Sequence, residues 1–517
     1  MSDLFPQWYC VAALGSAVAT VYFVLHFSRK YRAMVEYHPL SVDEWMDSTP
    51  TLSDEVYVAA LHSLAIRGHE PSGDIPLISA PSPYIDGLKV TYDAGQRGTI
   101  PNARKLSLRG KAKANAIIVG TIRMGFGHHR IAHSACSWCL GAGADTYFHD
   151  LLNIDSSESQ LIKDTEKIYS AGSRLASELG GVVEKIWGAM TLSGGVNVAR
   201  NSWQLANDIS ALMDGMPKDV PVIASHSLVA MIAVACGFKH VINLVIDNHA
   251  QWFVVVPGAI NLVQGPANYF DLLRMGIPSS ELRYAGHWVP KDIVDNLEED
   301  CDLRIERCEE NEPRRLLVPI GGAGAQRKFV VSLVKALEEK IQQGLIQVIL
   351  NAADHKHIHK AFETTLDNMD VEYDVVSDFE GLEEMCENPN SIRAPVVLLA
   401  FDSYFPSVAA TDMLIRVCDV LVCKPSELAF YPIPKLMISR RVGDHEQFSA
   451  IRASELGDGT AELRTVEEAM AFLALLTEGD SAMFITMNEC IMAAHAAGVY
   501  NGCQVAVELA QELSERG

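Results

Sequence analysis

Positive charge is what this chain has least of: 42 Lys and Arg stand against 65 Asp and Glu, a formal net charge of −23 over 517 residues. An extended nucleic-acid surface needs a dense field of Lys and Arg, so the balance argues against one and for an acidic globular protein. A disulfide framework is missing too, because the 11 cysteines are scattered without framework spacing. A chain long enough for two or three domain-sized cores needs no such staples, which points to a reducing compartment. The one close pair, Cys136 and Cys139 in "CSWC", has no second CxxC to complete a zinc site, and it reads as two structural helix cysteines ahead of a redox pair.

Against this background the N-terminus stands out. "WYCVAALGSAVATVYFVLHF", residues 8–27, carries no formal charge with His26 neutral and is long enough to cross a bilayer as a helix. A signal peptide would carry basic residues before the run, whereas "MSDLFPQ" holds only an acid. Arg29, Lys30 and Arg32 follow it, so the expected arrangement is a single-pass anchor with the rest of the chain cytoplasmic.

Residues 33–110 are loop-rich ("STPTLSDE", "GHEPSGDIP", "SAPSPYIDG") and read as a connecting or capping region. Its end gathers Arg97, Arg104 and Lys105, continued by Arg109, Lys111 and Lys113, without an acid; this is either a solvated linker or a patch for anionic headgroups below the anchor. Beyond it, apolar and often β-branched runs at 115–120, 219–225, 240–247 and 259–265 alternate with helical stretches, the texture of a parallel α/β unit. A charged break over 296–315 separates these from a second series at 315–321, 345–351, 371–377, 395–401, 419–424 and 435–439. Two doubly wound sheets joined by a polar linker follow from this pattern. The expected division is an anchor at 1–32, the connecting region at 33–110, Rossmann-like units at 111–302 and 303–480, and C-terminal helices at 481–517.

Three stretches carry chemistry. In "IIVGTIRMGFGHHRIAHSACSWC" a strand ends near Gly120, a loop holds Gly125, Phe126 and Gly127, and a helix opens around His128. Such a loop lets a ligand approach the free N–H groups of the first helical turn. It lacks the third glycine of a dinucleotide fingerprint, and His129 and His133 lack the intervening Glu of HExxH. A general base at the loop tip and a pair of half-exposed polar side chains at a helix start remain equal readings of the histidines. In "VPIGGAGAQRKF", the N–H groups of Gly322, Ala323, Gly324, Ala325 and Gln326 are placed to wrap a diphosphate; the loop lacks the Lys-Ser/Thr ending of a nucleoside triphosphatase, and a tight turn would use the same residues. In "CDVLVCKPSELAFYPIPKLMISRRVGDHEQF", Lys424, Ser426 and Glu427 follow a strand, where a carboxylate binds vicinal hydroxyls or simply favours a helix start.

The order of these motifs resembles that of GT-B-fold nucleotide-sugar glycosyltransferases, above all monogalactosyldiacylglycerol synthases and the bacterial transferase that adds N-acetylglucosamine to the peptidoglycan lipid precursor. "GFGHHRIAHSA" is similar to their GGGH loop, with Phe126 in place of a glycine. "VIASHSLVAMIAVACG" is similar to a segment with a histidine matched by His226, and "NLVIDNHAQWF" to one matched by Asp247 and Trp252. "CKPSELAFYPIPKLMI" and "GDHEQF" resemble the donor segment, here with a shorter loop after Lys424. The resemblance covers roughly residues 113–475.

It implies two Rossmann-like domains facing a cleft and an inverting transfer of a hexosyl group from a UDP-sugar, needing no metal or further cofactor. His128 would be the base, and Gly125, Phe126, Gly127, His226, Asp247 and Trp252 would face the acceptor. Residues 322–326 with Lys424, Ser426, Glu427, Asp444, His445 and Gln447 would hold the donor, Glu427 on the ribose, and Arg130 or Lys424 would add positive charge at the diphosphate. The anchor makes a membrane lipid the expected acceptor. A nucleotide-sugar epimerase of the same fold and a non-catalytic nucleotide-sugar-binding membrane subunit are the alternatives.

Overall fold

The computed structural model describes residues 72–106, 115–164, 202–203, 205–321, 326–438, 445–478 and 481–516. The expected anchor at 8–27, Arg109, Lys111 and Lys113, residues 322–325 and Asp444 lie outside them. Among the described residues no single helix is long and apolar enough to cross a membrane.

The first sheet is built from β1 (Leu77–Pro81), β2 (Lys89–Asp93), β3 (Arg104–Lys105), β4 (Ala116–Thr121), β5 (Asp145–Asp150), β6 (Val222–Ala224), β7 (Val241–Leu244), β8 (Ile260–Val263) and β9 (Leu282–Tyr284). Their order is β3-β1-β2-β5-β4-β6-β7-β8-β9. From β2 to β9 all neighbours are parallel, while β1 pairs antiparallel with β2 and β3. Every residue of β4 is buried, as a strand covered on both faces requires, and its sequence AIIVGT is accordingly apolar. Helices α1 (Gly127–Gly141), α2 (Ser227–Ala235) and α3 (Pro266–Arg274) follow β4, β6 and β8. Helix α2 reaches β4 closely because Gly120 has no Cβ, which would stand 2.6 Å from Val229 Cγ1.

Two expectations change here. The 33–110 region contributes three strands to the first sheet instead of only connecting. Strands of two to five residues bounded by Pro, Gly and Asp leave too little period to read. The polar break is no free linker: it forms helix α4 (Leu297–Glu309), most of whose acids face outward while Asp300 is buried against Arg416 and Arg304, 1% exposed, is buried as well. Arg304 donates to the carbonyls of Ile415, Cys418 and Pro432, and Arg307 pairs with Asp419, which fixes α4 to the second unit.

The second sheet consists of β10 (Arg314–Pro319), β11 (Ile346–Asn351), β12 (Tyr373–Val376), β13 (Val396–Leu399), β14 (Val420–Cys423) and β15 (Lys435–Met437), ordered β12-β13-β11-β10-β14-β15 and parallel throughout. Its helices are α5 (Arg327–Ala336), α6 (Lys356–Met369), α7 (Phe379–Glu387), α8 (Tyr404–Ile415), α9 (His445–Leu456) and α10 (Val466–Thr477). The last of these starts on a Thr465/Glu468 capping box. The C-terminal helices α11 (Ala482–Ala496) and α12 (Gly502–Arg516) return to the first unit, where α12 packs on α1 and on β6 and β7. In both sheets the chain reverses direction beside the first parallel strand of the wound core, between β4 and β6 and between β10 and β14. Ligands of open α/β sheets bind at such switch points, outside the carboxyl ends of the strands.

Candidate active site

The carboxyl ends of the two sheets meet. The loop after β4 carries Gly125 at φ +82°, a conformation glycine adopts without strain, and its carbonyl accepts the Tyr404 hydroxyl of α8 at 3.0 Å. The Phe126 ring is buried against Ala353, Val408 and Tyr404 of the second unit, so it is a contact between the two units. Gly127 opens α1 against the Glu427 carboxylate, within which an added Cβ would stand 2.9 Å from Oε2.

His128 lies in the first turn of α1 with Nδ1 2.8 Å from the carbonyl oxygen of Ser225. A carbonyl only accepts, so Nδ1 carries the proton and Nε2 keeps its lone pair. His226 caps α2: its Nδ1 accepts the Leu228 amide at 3.0 Å, which leaves the proton on Nε2. The two rings stand 4.3 Å apart, centroid to centroid. The switch point of the first sheet thus presents one imidazole with a free acceptor beside one with a free donor. Burial lowers His128 below the ordinary histidine value, while the Ser225 carbonyl, Asp247 and Glu427 oppose that shift. Burial, reinforced by His128, lowers His226 well below it. Both rings are therefore neutral near pH 7, and His128 is ready to take a proton.

The adjacent histidine is turned away. His129 reaches Asp150 at 3.1 Å and is buried. Burial tends to raise Asp150, but His129 and the Leu152 and Arg123 environments outweigh it, so this carboxyl sits below its usual range. His133 stacks on Phe148 at 4.6 Å, and burial brings it down to about 3. Arg130 is not free for a diphosphate: 2% exposed, it bonds the Val408 carbonyl and Asp412 of α8 and stands 3.5 Å from Glu427. Burial, only partly offset by Arg130, pushes Asp412 up.

On the second sheet, helix α5 does follow the glycine loop, and Gln326 enters it at φ +71°. Gly321 is bonded through its carbonyl to His355 Nε2 at 3.2 Å. Lys424 is half-exposed beyond β14 and pairs with Glu446 at 2.6 Å, while Ser426 folds back onto the Lys424 carbonyl at 2.8 Å. Gln447 is half-buried on α9, and of His445 only the backbone at the start of that helix is described. Asp247 lies half-buried past β7, close enough to act on His128. Trp252, 7% exposed, is packed with Val245, Val263 and Leu272 in an apolar cluster beneath β8.

The structure thus brings together Gly125, Phe126, Gly127, His128, His226, Asp247 and Glu427. Sequence reading missed Ser225, which acts through its carbonyl from within the His226 stretch, and Tyr404 and Asp412, which act through a hydroxyl and a carboxylate distant in the chain and in no motif. Among the described residues no group of three or more His, Cys, Asp or Glu side chains is arranged for a metal ion.

Residues 93–273 match a family described as a domain of unknown function (DUF6937), and residues 277–511 match a second, DUF6938. Their boundary falls between α3 and β9, so the edge strand of the first sheet and the returning helix α12 both belong to the second match. No curated protein matches the chain. Similar solved structures include HepE of Anabaena in complex with UDP and glucose, at 11% identity over 76% of this chain and 98% of that one, TM-score 0.38. They also include an alpha,alpha-trehalose-phosphate synthase (UDP-forming) of Burkholderia vietnamiensis, at 11% over 78% and 99%, TM-score 0.39. The spinosyn rhamnosyltransferase SpnG complexed with thymidine diphosphate is more distant in shape, at 10% over 78% and 96%, TM-score 0.25.

Proposed function

We propose that the protein is an inverting glycosyltransferase of GT-B arrangement, moving a hexosyl group from a UDP-sugar to a hydroxyl of a membrane lipid. The observation that carries this reading is His128, held at the switch point of one sheet with its Nε2 lone pair free, on a turn that touches the unit of the second sheet through Gly125 and Phe126. That second sheet supplies a glycine loop and helix start at its own switch point.

In this mechanism the acceptor hydroxyl lies beside the touching histidine rings, within reach of both Nε2 atoms. His226 Nε2–H donates to its oxygen, and His128 Nε2 accepts its proton as the oxygen attacks the anomeric carbon. The bond from that carbon to the diphosphate breaks, and the electron pair leaves with the phosphate. Backbone N–H groups around residues 322–326 and the α5 dipole stabilise the developing charge. Lys424 stands by as the nearby cation, while Arg130 holds the units together. Residues 8–27 would keep the enzyme at the bilayer that contains its acceptor.

The test incubates the full chain with membranes and a panel of radiolabelled UDP-sugars, followed by lipid extraction. Label in the lipid fraction from one sugar, lost in His128→Ala, supports the reading. Donor turnover without any acceptor would favour an epimerase. UDP binding with no turnover would favour a non-catalytic subunit.

A further inference from the structure

Past the carboxyl ends of β7 and β8, Asn248 Oδ1, Gln264 Oε1, Asn268 Oδ1 and, from α9, Arg452 Nε are buried without a hydrogen-bond partner among the described residues. Folded proteins leave few such atoms, because each forfeits its hydration for nothing. Two of them converge on Gly265, the residue before α3. A Cβ there would stand 3.4 Å from both Arg452 Nε and Asn248 Oδ1, so the missing side chain leaves a gap with a cation on one side and an acceptor on the other. Gln264 and Asn268, 0% and 1% exposed, flank Gly265 in the chain. Gln264 donates its amide N–H to the Ile246 carbonyl and Asn268 to that of Asp247 at 2.9 Å, and each keeps an oxygen without a donor.

Helix α3 adds a second attraction. Gly265 gives it no side-chain cap and Pro266 has no N–H, so the amides of Ala267 and Asn268 head the helix uncapped. A helix start of this kind favours an anion. The cation is brought by the second unit on α9, where Phe448, one turn before Arg452, stacks on His249 with centroids 4.2 Å apart and planes at 15°. Asn248 adjoins Asp247, which lies close enough to act on His128, and β7, β8 and α3 belong to the unit that carries the base.

We propose that the gap at Gly265 is a headgroup subsite for the acceptor, taking a phosphate ester that carries free hydroxyls. The anionic oxygen meets Arg452 Nε–H and the amides that open α3, and the hydroxyls donate to the oxygens of Asn248, Gln264 and Asn268. A neutral diglyceride offers no anion, and inorganic phosphate too few hydroxyls; a hydroxylated phospholipid headgroup supplies both. Its role as acceptor rests on the transferase reading, whereas the binding site does not.

The full chain is titrated by calorimetry with sn-glycerol 3-phosphate, glycerol and inorganic phosphate, and with UDP alongside. Glycerol 3-phosphate is expected to bind about tenfold tighter than inorganic phosphate, and glycerol not measurably. Arg452→Gln should weaken glycerol 3-phosphate about tenfold or more, and Asn248→Ala about fivefold. Gly265→Ala should weaken it too by filling the gap, and it keeps the fold, since the added methyl meets its neighbours at ordinary contact distance. UDP affinity is unchanged in all three variants, which reports intact protein. No binding of glycerol 3-phosphate to wild type, or the same affinity in Arg452→Gln and Gly265→Ala, overturns the proposal, as does inorganic phosphate binding equally well. With a UDP-sugar added, transfer to vesicles containing phosphatidylglycerol but not to vesicles of phosphatidylcholine and diacylglycerol supports the acceptor role; the reverse preference overturns it. Intact glycerol 3-phosphate binding with no transfer to either rejects the transferase reading and leaves the subsite in place.

Discussion

His128 and His129 are neighbours in sequence and differ by about 100° of helix rotation, which is enough to give them unrelated roles. One is held by the Ser225 carbonyl beside His226; the other turns inward to Asp150. Replacing His128 by alanine is therefore expected to lower transfer by about 10²- to 10⁴-fold, with UDP affinity by calorimetry unchanged. Arg130, two residues on, behaves differently, because it is buried between Asp412, Glu427 and the Val408 carbonyl. Removing one partner of a buried pair strands the other, so Arg130→Met should cost about 3–5 kcal/mol of stability. Urea denaturation of the variant checks it; a loss below about 1 kcal/mol would mean the pair is solvated.

Helix α12 closes the molecule through backbone rather than side chains. At Gly286, φ is +99° and a Cβ would meet the Val499 carbonyl oxygen at 2.5 Å; at Gly502 it would meet the Gly286 carbonyl at 2.5 Å. These contacts tie the end of β9 to the turn between α11 and α12, so Gly286→Ala should lower the melting temperature by several degrees, consistent with a loss of about 2 kcal/mol or more. Calorimetry reads the shift, and an unchanged melting temperature would refute the packing argument. The elements legible in the sequence were the long apolar ones: all six strands of the second sheet, and β4, β6, β7 and β8 of the first. Strand β5, DTYFHD, hid because polar Thr146, His149 and Asp150 are buried along it on both faces, and β9, LRY, has no apolar run, with Arg283 and Tyr284 exposed. The glycine loop after β4 was readable because its turn at Gly125 demands glycine. The contacts of this loop and of α1 were not, since Tyr404, Val408 and Asp412 meet them from about 280 residues away in the chain.

At the scale of the whole molecule, buried neutral histidines set the response to acid. Burial brings His133 to about 3 and His149 to about 4, whereas the unfolded chain binds these protons near pH 6.5. Their stability contribution is complete above about pH 6.5 and drains away as the pH falls toward those values, by up to about 1.4 kcal/mol per pH unit for each group. The melting temperature should therefore fall between pH 7 and pH 5, and His133→Phe, which keeps the stack on Phe148, should flatten that fall; an identical slope would exclude His133 as a cause. The larger claim is that two sheets meet at their switch points to transfer a sugar with inversion, using His128 as the base. Its most direct measurement is proton NMR of the anomeric centre of the lipid product formed from an α-linked UDP-sugar by wild type and by His128→Ala. A β-linked product from the wild type, and none from the variant above background, is the predicted result; an α-linked product, or equal yield from both proteins, would contradict it.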